Sequence, residues 1–393
     1  MKHVFMTGAT GAFGSEILSL LTKKGFSVTC LVRANSQAAA NKRIRDVLGV
    51  NHQGVKVVLG DITLAKCGIS KYQLKKLRGN VDLLLHCAAA ISFTDEVQNW
   101  KVNVGGVNNV KELVDELDVH DWHHVSTAYT IGKKAALFED DVIPHSEVNR
   151  PRNTYEETKQ IGESVVEGWG KAKSGRTYTI YRPSILVGRD DELGSTPTFD
   201  AFYGYVWPLW KMAESVRQKI RDGKALGSGI SVNSDDVVNV PIVIKMEKTS
   251  TLNVVPIDWA AKVLVLLLSI KPGENAVYHI THNDPPNTRW MLEIVLDFFG
   301  VSGVQVVATQ EEYEHAVKKL PKGVLAYQRS VASVLQRFSP YTNHNPFFSM
   351  DRCVAHLGSQ FEPPPIINKA FIEKLLNYAV TTEWGNKPHS TLF

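Results

Sequence analysis

The feature that most constrains the fold of this chain is a glycine-rich loop close to its amino terminus. Thr7-Gly-x-x-Gly-x-x-Gly14 lies between a short buried strand, His3 to Met6, and a helix predicted to run through Lys24. Glycines at this spacing let the backbone approach a pyrophosphate, and the following helix offers free N–H groups and a favourable dipole. The loop therefore predicts a dinucleotide site. Its candidate contacts are Gly8, Thr10, Gly11, Ala12, Phe13 and Gly14.

Strand and helix patterns alternate through the first half of the chain. Continuous apolar strands are predicted at 27–32, 55–59, 81–85, 123–126 and 178–181, with helices between them. Such strands are typical of a parallel sheet covered on both faces, and the handedness of the crossovers makes it doubly wound. The predicted fold class is α/β: a Rossmann-type doubly wound parallel sheet with a smaller C-terminal substrate lobe.

The pattern changes after Gly188. Residues 189–250 are predicted to be irregular, with an aromatic run at 199–210 followed by a basic helix from about Lys211. Regular structure then returns in an apolar helix and a strand. The predicted organisation is an NADP-binding Rossmann domain over 1–188, to which 250–272 returns, and a substrate-binding lobe with a C-terminal extension over 189–393.

Composition excludes several classes of protein. The net charge of +4, from 44 basic and 40 acidic side chains, is too small to argue for a nucleic-acid partner. The four cysteines are scattered, without the spacing of a metal site. The amino terminus leads straight into a strand, and the longest apolar stretch, Trp259 to Ile270, is too short to span a bilayer. A cytoplasmic protein in a reducing compartment is expected.

Tyr155 and Lys159 are the strongest candidates for chemistry. They lie four residues apart in Asn153-Thr-Tyr-Glu-Glu-Thr-Lys159, which places them on one face of a predicted helix. The ammonium would then lie beside the phenol and is expected to lower its pKa from about 10. Such a tyrosine can exchange a proton with a carbonyl oxygen while a nicotinamide exchanges hydride.

Hydroxyl side chains stand at the end of the fifth predicted strand. Either Ser126 or Thr127 could hydrogen-bond a substrate carbonyl oxygen and stabilise the developing oxyanion, and Thr127 is the preferred candidate. The nearby histidines, which include His123 and His124, match no metal spacing, so no metal is predicted.

The end of the second strand indicates which nicotinamide cofactor binds. An NAD site usually places an acidic residue there, whereas this chain has Cys30-Leu-Val-Arg33 and no acid until Asp46. Arg33 can bond a 2′-phosphate with two N–H groups, and Arg43 is a second candidate donor. NADPH is therefore favoured.

The third and fourth strands end in further candidate contacts. Asp61 could accept a hydrogen bond from the adenine amine, and Ile62 could cover the ring. Ala88 and Ala89, in His86-Cys-Ala-Ala-Ala90, have small side chains where the backbone must pass close to the nicotinamide ribose.

Together these motifs resemble the extended short-chain dehydrogenase/reductase superfamily. The chain is most similar to its thioester reductase and male-sterility-type fatty acyl-CoA reductase branch, through Cys30–Ala34, Val81–Phe93 and Leu252–Asp258. The likeness extends over about the first 300 residues. The superfamily motifs are Thr7-Gly-x-x-Gly-x-x-Gly14, Gly60-Asp61, His86-x-Ala-Ala, Asn103, Thr127, Tyr155-x-x-x-Lys159 and Tyr181-Arg-Pro-Ser184.

This resemblance implies NADPH-dependent reduction of an acyl thioester, on CoA or on an acyl-carrier protein, to an aldehyde and sometimes on to an alcohol. It implies a catalytic triad of Thr127, Tyr155 and Lys159, in which Tyr155 protonates the substrate oxygen and the hemithioacetal collapses to aldehyde and thiol. The cofactor contacts that it adds are Asn103, Tyr155, Lys159, Pro183 and Ser184.

Two other interpretations stay open. A dehydrogenase or epimerase acting on a sugar nucleotide or a small ketone or alcohol would use similar machinery, although Arg33 argues against most epimerases, which hold NAD tightly. A non-catalytic NADP sensor would not need the Thr-Tyr-Lys set. The aromatic run at 199–210 suits an acyl chain better than a sugar and is expected to line the acyl site. Contact of this run with a membrane is an alternative that the sequence does not favour.

Overall fold

The computed structural model describes residues 2–49, 54–92, 95–132, 136–137, 151–270, 275–344 and 346–386. Phe93 and residues 271–272, which enter the predictions above, lie outside these ranges. The strands are β1 (His3–Thr7), β2 (Ser27–Val32), β3 (Val55–Leu59), β4 (Leu83–His86), β5 (Asp121–Val125), β6 (Ala136–Leu137), β7 (Thr177–Pro183), β8 (Ile185–Val187), β9 (Ser231–Val232), β10 (Val238–Asn239), β11 (Val243–Lys245), β12 (Val254–Pro256), β13 (Ala276–Ile280), β14 (Val301–Ser302), β15 (Gln305–Val307) and β16 (Phe347–Phe348). The α-helices are α1 (Ala12–Lys23), α2 (Gln37–Leu48), α3 (Lys71–Leu77), α4 (Glu96–Asn99), α5 (Gly106–Glu116), α6 (Thr154–Lys171), α7 (Phe202–Arg221), α8 (Ile257–Ile270), α9 (Thr288–Phe298), α10 (Gln310–Lys318), α11 (Leu325–Thr342), α12 (Asp351–Leu357) and α13 (Lys369–Thr381).

The central sheet has seven strands in the order β13-β7-β5-β4-β1-β2-β3, and every neighbouring pair is parallel. The chain runs outward from β1 to β3, then returns to the other side of β1 to form β4. In a doubly wound sheet, ligands bind outside the carboxyl ends of the strands at the point where the strand order reverses. The predicted Rossmann-type α/β sheet is confirmed, and its binding crevice lies between the ends of β1 and β4.

Both faces of this sheet are covered by helices. One face packs against α1, α2, α8 and α12, through side chains such as Ile17 and Leu264. The other packs against α3, α5 and α6, through side chains such as Val110 and Trp169. Because both faces are buried, β1 and β4 are largely continuous apolar runs.

Contacts divide the chain into two units, and residues 346–364 belong to the first. This segment lies in the range 189–393 predicted as a substrate-binding lobe with a C-terminal extension, but β16 pairs in parallel with β6, and Met350, Cys353 and Leu357 pack in the core of the central sheet. The first unit is Met1–Leu186, Val255–Asn283 and Pro346–Pro364; the second is Val187–Val254, Asp284–Asn345 and Pro365–Phe393.

In the second unit, residues 202–210 of the aromatic run lie in the single 20-residue helix α7, and residues 199–201 precede it. The prediction that this run is irregular and that a helix begins near Lys211 is wrong. Pro208 lies inside the helix, which normally costs about 3 kcal/mol, but burial of the aromatic face outweighs that loss. Tyr203, Val206 and Leu209 are at most 1% exposed, so most of the helical part of the run forms core rather than surface.

Candidate active site

Helix α6 carries the tyrosine and lysine. The helix begins after Asn153 because the Asn153 side chain caps it, accepting a hydrogen bond from the N–H of Glu156 at 3.0 Å. The cap places Tyr155 in the first turn, partly buried, and Lys159 one turn later, fully buried. The predicted helical i, i+4 arrangement is therefore present.

Thr127 contacts Tyr155. It follows the end of β5, where it accepts a hydrogen bond from the N–H of Tyr129 at 3.3 Å and so caps a short 3-10 turn. Its hydroxyl is also close enough to the phenol of Tyr155 to lower the pKa of that phenol by hydrogen bonding. The neighbouring Ser126 hydroxyl is buried without a protein partner among the described residues. The structure brings Thr127 rather than Ser126 to the phenol.

The pKa of Tyr155 is raised, not lowered. Burial raises it from 10 to about 12, the hydrogen bond with Thr127 reduces this effect, and the charge of Glu156 adds to it. The prediction that Lys159 lowers the pKa of this phenol is wrong, because the loss of hydration of the phenolate dominates. Tyr155 is consequently protonated at neutral pH and is equipped to donate a proton.

Lys159 is a buried cation. Burial lowers its pKa from 10.5 to about 8, although the nearby Glu163 and Cys87 raise it. Its Nζ donates a hydrogen bond to the carbonyl oxygen of Val125 at 2.7 Å. Glu163 is fully buried and accepts hydrogen bonds from Arg182 of β7 at 2.9 and 2.5 Å, so two cations share its charge.

The glycine-rich loop packs too tightly for side chains at two positions. Gly8 has a φ of 75°, and a Cβ there would lie 2.5 Å from the nitrogen of Ala88; a Cβ on Gly14 would lie 2.0 Å from the carbonyl oxygen of Gly8. Helix α1 then begins with Ala12 and Phe13, without a side-chain cap and without an acidic residue in its first turn. Its first N–H groups are therefore available to an anion, and the cradle fits a dinucleotide pyrophosphate.

Two arginines gather at the ends of β2 and β3. Arg43 reaches from α2 to donate to the Thr10 hydroxyl and to the carbonyl oxygen of Arg33, both at 2.7 Å. Nη1 of Arg33 lies 3.9 Å from the Asp61 carboxylate, and the Arg33 side chain is 70% exposed. Two guanidinium groups thus stand beside the glycine-rich loop.

Asp61 and Ile62 lie in the turn that follows β3. One Asp61 oxygen accepts a hydrogen bond from the N–H of Thr63 at 2.9 Å, which holds this turn. The Ile62 side chain is buried and packs so closely on α5 that a Cβ on Gly106 would lie 2.9 Å from its Cδ1. Their contacts with adenine stay a prediction.

Asn103 lies in a π-helical stretch, Trp100–Gly105, between α4 and α5. Its Oδ1 accepts from the N–H of Ala90 at 2.8 Å, and its Nδ2 donates to the carbonyl oxygen of Ala90 and to the Thr158 hydroxyl at 3.0 and 3.1 Å. These bonds use both N–H groups of the amide. Asn103 therefore shapes the crevice by holding the backbone after β4 and offers no free N–H group to a ligand.

The remaining predicted residues lie at strand ends. Ala88 follows β4 and abuts Gly8, whereas Ala89 is exposed. The carbonyl oxygen of Pro183 accepts a hydrogen bond from Thr127 at 3.5 Å, and the buried Ser184 hydroxyl has no protein partner in the described part of the chain.

The buried polar groups around Lys159 were not predicted from the sequence. The ion pair of Glu163 with Arg182 and the stacked rings of His86 and His124 lie on strands and a helix that are distant in sequence. The motifs that contain His86 and Arg182 are local, whereas their contacts with His124 and Glu163 depend on strand register and on the packing of α6, so the motifs could not indicate these contacts.

Over the ranges that the structure describes, no three His, Cys, Asp or Glu side chains group in a way that could hold a metal ion. In the same ranges, none of the helices combines the length and hydropathy needed to cross a bilayer.

The doubly wound sheet, the glycine cradle and the Thr-Tyr-Lys arrangement define an extended short-chain dehydrogenase/reductase. Within that class, the sequence model of the male sterility protein family, an NAD-binding domain, matches residues 6–264, and the chain belongs to this family. The predicted family resemblance is confirmed, and the cofactor is a nicotinamide dinucleotide.

Three relatives illustrate the likeness. The chain is 25% identical over 293 residues to a linear gramicidin synthase of Brevibacillus parabrevis, an alignment that covers 71% of this chain and 5% of that protein. It is 26% identical over 226 residues to fatty acyl-CoA reductase wat of Drosophila melanogaster, covering 47% and 43% respectively. The crystal structure of the terminal R domain from the myxalamid PKS-NRPS pathway has the same fold, with a TM-score of 0.76, 20% identity and coverage of 99% and 93%.

Proposed function

We propose that this chain is an NADPH-dependent reductase that converts an acyl thioester, carried by CoA or by a carrier protein, to an aldehyde. The observation that carries the proposal is the placement of Lys159 one helical turn after Tyr155, where its Nζ bonds the carbonyl oxygen of Val125 at the carboxyl end of β5, with the Thr127 hydroxyl lowering the pKa of the Tyr155 phenol. The names of the relatives, a fatty acyl-CoA reductase and a terminal R domain of a PKS-NRPS pathway, support the substrate class.

The chain's own residues would orient the thioester and handle the proton, while the cofactor supplies hydride to the thioester carbon. Thr127 would hold the carbonyl oxygen against Tyr155 by hydrogen bonding. The phenol, protonated because its pKa is about 12, would donate its proton as negative charge develops on that oxygen. The resulting hemithioacetal collapses when its C–S bond breaks and its hydroxyl proton passes to sulfur, which releases aldehyde and thiol.

Lys159 would restore the proton to Tyr155. Its pKa of about 8 lies well below that of the phenol, so transfer from ammonium to phenolate is favourable. The buried cation would also bond the nicotinamide ribose. Lys159 should therefore affect both turnover and cofactor affinity.

We propose NADPH rather than NADH because Arg33 and Arg43 flank the glycine-rich loop. Arg33→Asp should weaken NADPH binding by roughly ten- to a hundredfold and favour NADH, since a charge-assisted hydrogen bond contributes about 1.5–3 kcal/mol and the new carboxylate repels a 2′-phosphate. Fluorescence titration with both cofactors measures the change. Arg45→Asp is the matched control, because it makes the same charge change on exposed α2. If NADPH and NADH bind equally well to the parent chain and to Arg33→Asp, the assignment of Arg33 to the 2′-phosphate would be removed.

Two tryptophans on one face of α7 are the part of the aromatic run that we propose contacts the acyl chain. Trp207 is 40% exposed, and Trp210, three residues later, packs on Trp384 with ring centroids 5.4 Å apart. Trp207→Ala should lower kcat/KM for long-chain substrates roughly tenfold more than for short ones, because about two buried methylenes lose their contact. Trp290→Ala, at a 36% exposed tryptophan on α9, is the control. An equal loss at all chain lengths would point to a folding defect.

The experiment that tests the function is incubation of the purified protein with NADPH and a panel of substrates. Acyl-CoA thioesters of graded length and the same acyl groups on a carrier protein are expected to give aldehyde and free thiol in equal amounts. Sugar nucleotides and small ketones complete the panel. Turnover of these and not of any thioester would replace the proposal with the dehydrogenase or epimerase alternative.

A further inference from the structure

A long basic segment lies mostly in the second unit. Between Glu314 and Asp351 the sequence contains no acidic residue. The basic residues of this segment are Lys318, Lys319, Lys322, Arg329 and Arg337. All of these side chains are exposed, and within the ranges that the structure describes none of them forms an ion pair. The segment therefore has a charge of +5, whereas the whole chain has only +4.

Helix α7 adds a further cation beside this segment. The ammonium of Lys219 lies 5.1 Å from the centroid of the Tyr327 ring on α11. The loop after α7 also meets the turn that precedes α11, because the N–H of Gly323 donates a hydrogen bond to the Ser228 hydroxyl at 3.2 Å. Since α10 ends just before this turn, the cations lie in one region of the second unit. We call this region the basic surface, and its members are Lys219, Lys318, Lys319, Lys322, Arg329 and Arg337.

Local helix stability does not account for all of this charge. Lys318 and Lys319 lie at the C-terminal end of α10, where a cation interacts favourably with the helix dipole. Lys322, however, precedes α11, which has no acidic residue in its first turn, so its charge lies near the positive end of that dipole. The three lysines also repel one another. A patch of one sign that is kept against such repulsion is typical of a surface that attracts an oppositely charged partner.

The cations follow an exposed helix face rather than a cleft. Lys322 and Arg337 stand at the two ends of this face, which spans about 20 Å at a rise of about 1.5 Å per helical residue. Val331 and Leu335 of α11 are buried, so the cations lie on the outer side of the helix. Sites for small molecules are concave. An outer face of this length fits the surface of a folded protein better than the few phosphates of CoA.

The side chains between these cations indicate what kind of macromolecule fits. The other exposed residues of α11 are small or polar, namely Ala326, Ser330, Ser333 and Gln336. A helix that binds a membrane surface has large apolar side chains on one face. A site for single-stranded nucleic acid presents aromatic rings to the bases, whereas the ammonium of Lys219 lies over the ring of Tyr327. The basic surface therefore best fits the acidic side chains of a protein.

We propose that the basic surface docks an acidic protein, and that this protein is the carrier that presents the acyl thioester. The identity of the partner rests on the proposed function, in which the substrate is a thioester on CoA or on a carrier protein. Exposed charges at an interface accelerate association and select the partner. The basic surface thus acts on the KM for a carrier-bound substrate and leaves the chemical step unchanged.

The test measures the binding of carrier proteins in their apo form, which contains no thioester. A panel of acyl-carrier and peptidyl-carrier proteins is titrated against the full chain by biolayer interferometry. The triple variant Lys319→Glu, Lys322→Glu, Arg329→Glu should raise the Kd of the tightest carrier roughly ten- to a hundredfold at about 50 mM salt, mainly through slower association. The difference should nearly vanish at about 0.5 M salt, because the range of the electrostatic attraction shortens.

The matched control is Lys71→Glu, Lys75→Glu, Arg78→Glu, which makes the same change of charge at three exposed residues in and just after α3 of the first unit. This control should bind the carrier as tightly as the parent chain. The triple variant of the basic surface should be at least as stable as the parent in urea, because repulsion among its lysines is relieved. If it does not fold, glutamine at the same three positions decides, with a smaller loss of affinity expected.

Three results would overturn the inference. The first is an equal affinity of the parent chain and the triple variant for every carrier, and the second is the absence of binding to every carrier in the panel. The third is binding of single-stranded RNA or of vesicles that contain phosphatidylglycerol in place of any carrier, which would assign the basic surface to that class of partner.

Failure of the inference and failure of the proposed function give different results. A chain that reduces acyl-CoA but binds no carrier keeps the proposed function and loses the docking surface. A chain that binds a carrier through the basic surface but reduces no thioester keeps the docking surface and loses the proposed function. If both hold, the triple variant should raise the KM for the carrier-bound substrate by the same factor as the Kd, with kcat and the KM for acyl-CoA unchanged.

Discussion

Tyr155→Phe is expected to reduce turnover by roughly 10²–10⁴-fold while NADPH binding stays close to that of the parent chain. The phenol is protonated at neutral pH, since its pKa is about 12, and the hydroxyl of Thr127 bonds it. Phenylalanine keeps the ring and its packing but has no proton to donate to the substrate oxygen. Steady-state reduction of the best thioester, beside a fluorescence titration with NADPH, measures both properties.

Tyr181→Phe is the control for the loss of a tyrosine hydroxyl. The Tyr181 hydroxyl is buried in the same sheet and bonds Nδ1 of His123 at 2.8 Å. Its removal should lower stability by about 1 kcal/mol and leave turnover nearly unchanged. Turnover close to that of the parent in Tyr155→Phe would mean that the proton comes from another group, and the mechanism would have to be abandoned.

The fold could be predicted largely from local patterns. β2 and β3 have the predicted bounds, because continuous apolar runs and clear turn residues limit them. By contrast, α5 is preceded by α4 and a π-helical stretch, where the Asn103 amide binds the backbone of Ala90. That contact joins distant parts of the chain, so helical periodicity could not indicate it.

The candidate site was predictable as a set of motifs but not as an electrostatic environment. The spacing of Tyr155 and Lys159 is a property of one helix, whereas the desolvation that raises the pKa of one and lowers that of the other depends on everything packed around them. The pairing of His86 with His124 likewise depends on strand register. Sequence spacing identified the groups, and tertiary burial determined their protonation.

Lys159→Met is expected to leave little activity and yet to increase stability at pH 7. Turnover should fall by roughly 10²–10³-fold, because the buried cation is lost. The lowering of the Lys159 pKa from 10.5 to about 8 means that keeping its charge buried destabilises the folded chain by roughly 3 kcal/mol. Methionine removes the destabilising buried charge but leaves the carbonyl of Val125 without its hydrogen-bond donor, which costs about 1–2 kcal/mol. The unfolding free energy should therefore rise by about 1–2 kcal/mol.

The stability gained by Lys159→Met is expected to depend on pH. Between the folded pKa of about 8 and the unfolded value of 10.5, the unfolded chain binds the Lys159 proton and the folded chain does not, so the parent gains stability as pH rises. The advantage of Lys159→Met should thus be complete below pH 8 and should shrink toward pH 10. Urea denaturation at pH 7 and at pH 10 measures the difference in unfolding free energy between the parent and Lys159→Met. Lys171→Met, at an exposed lysine in the last turn of α6, is the control. A Lys159→Met chain that is less stable than the parent at pH 7 would show that the buried ammonium stabilises the fold, and the proton return from Lys159 to Tyr155 would lose its driving force.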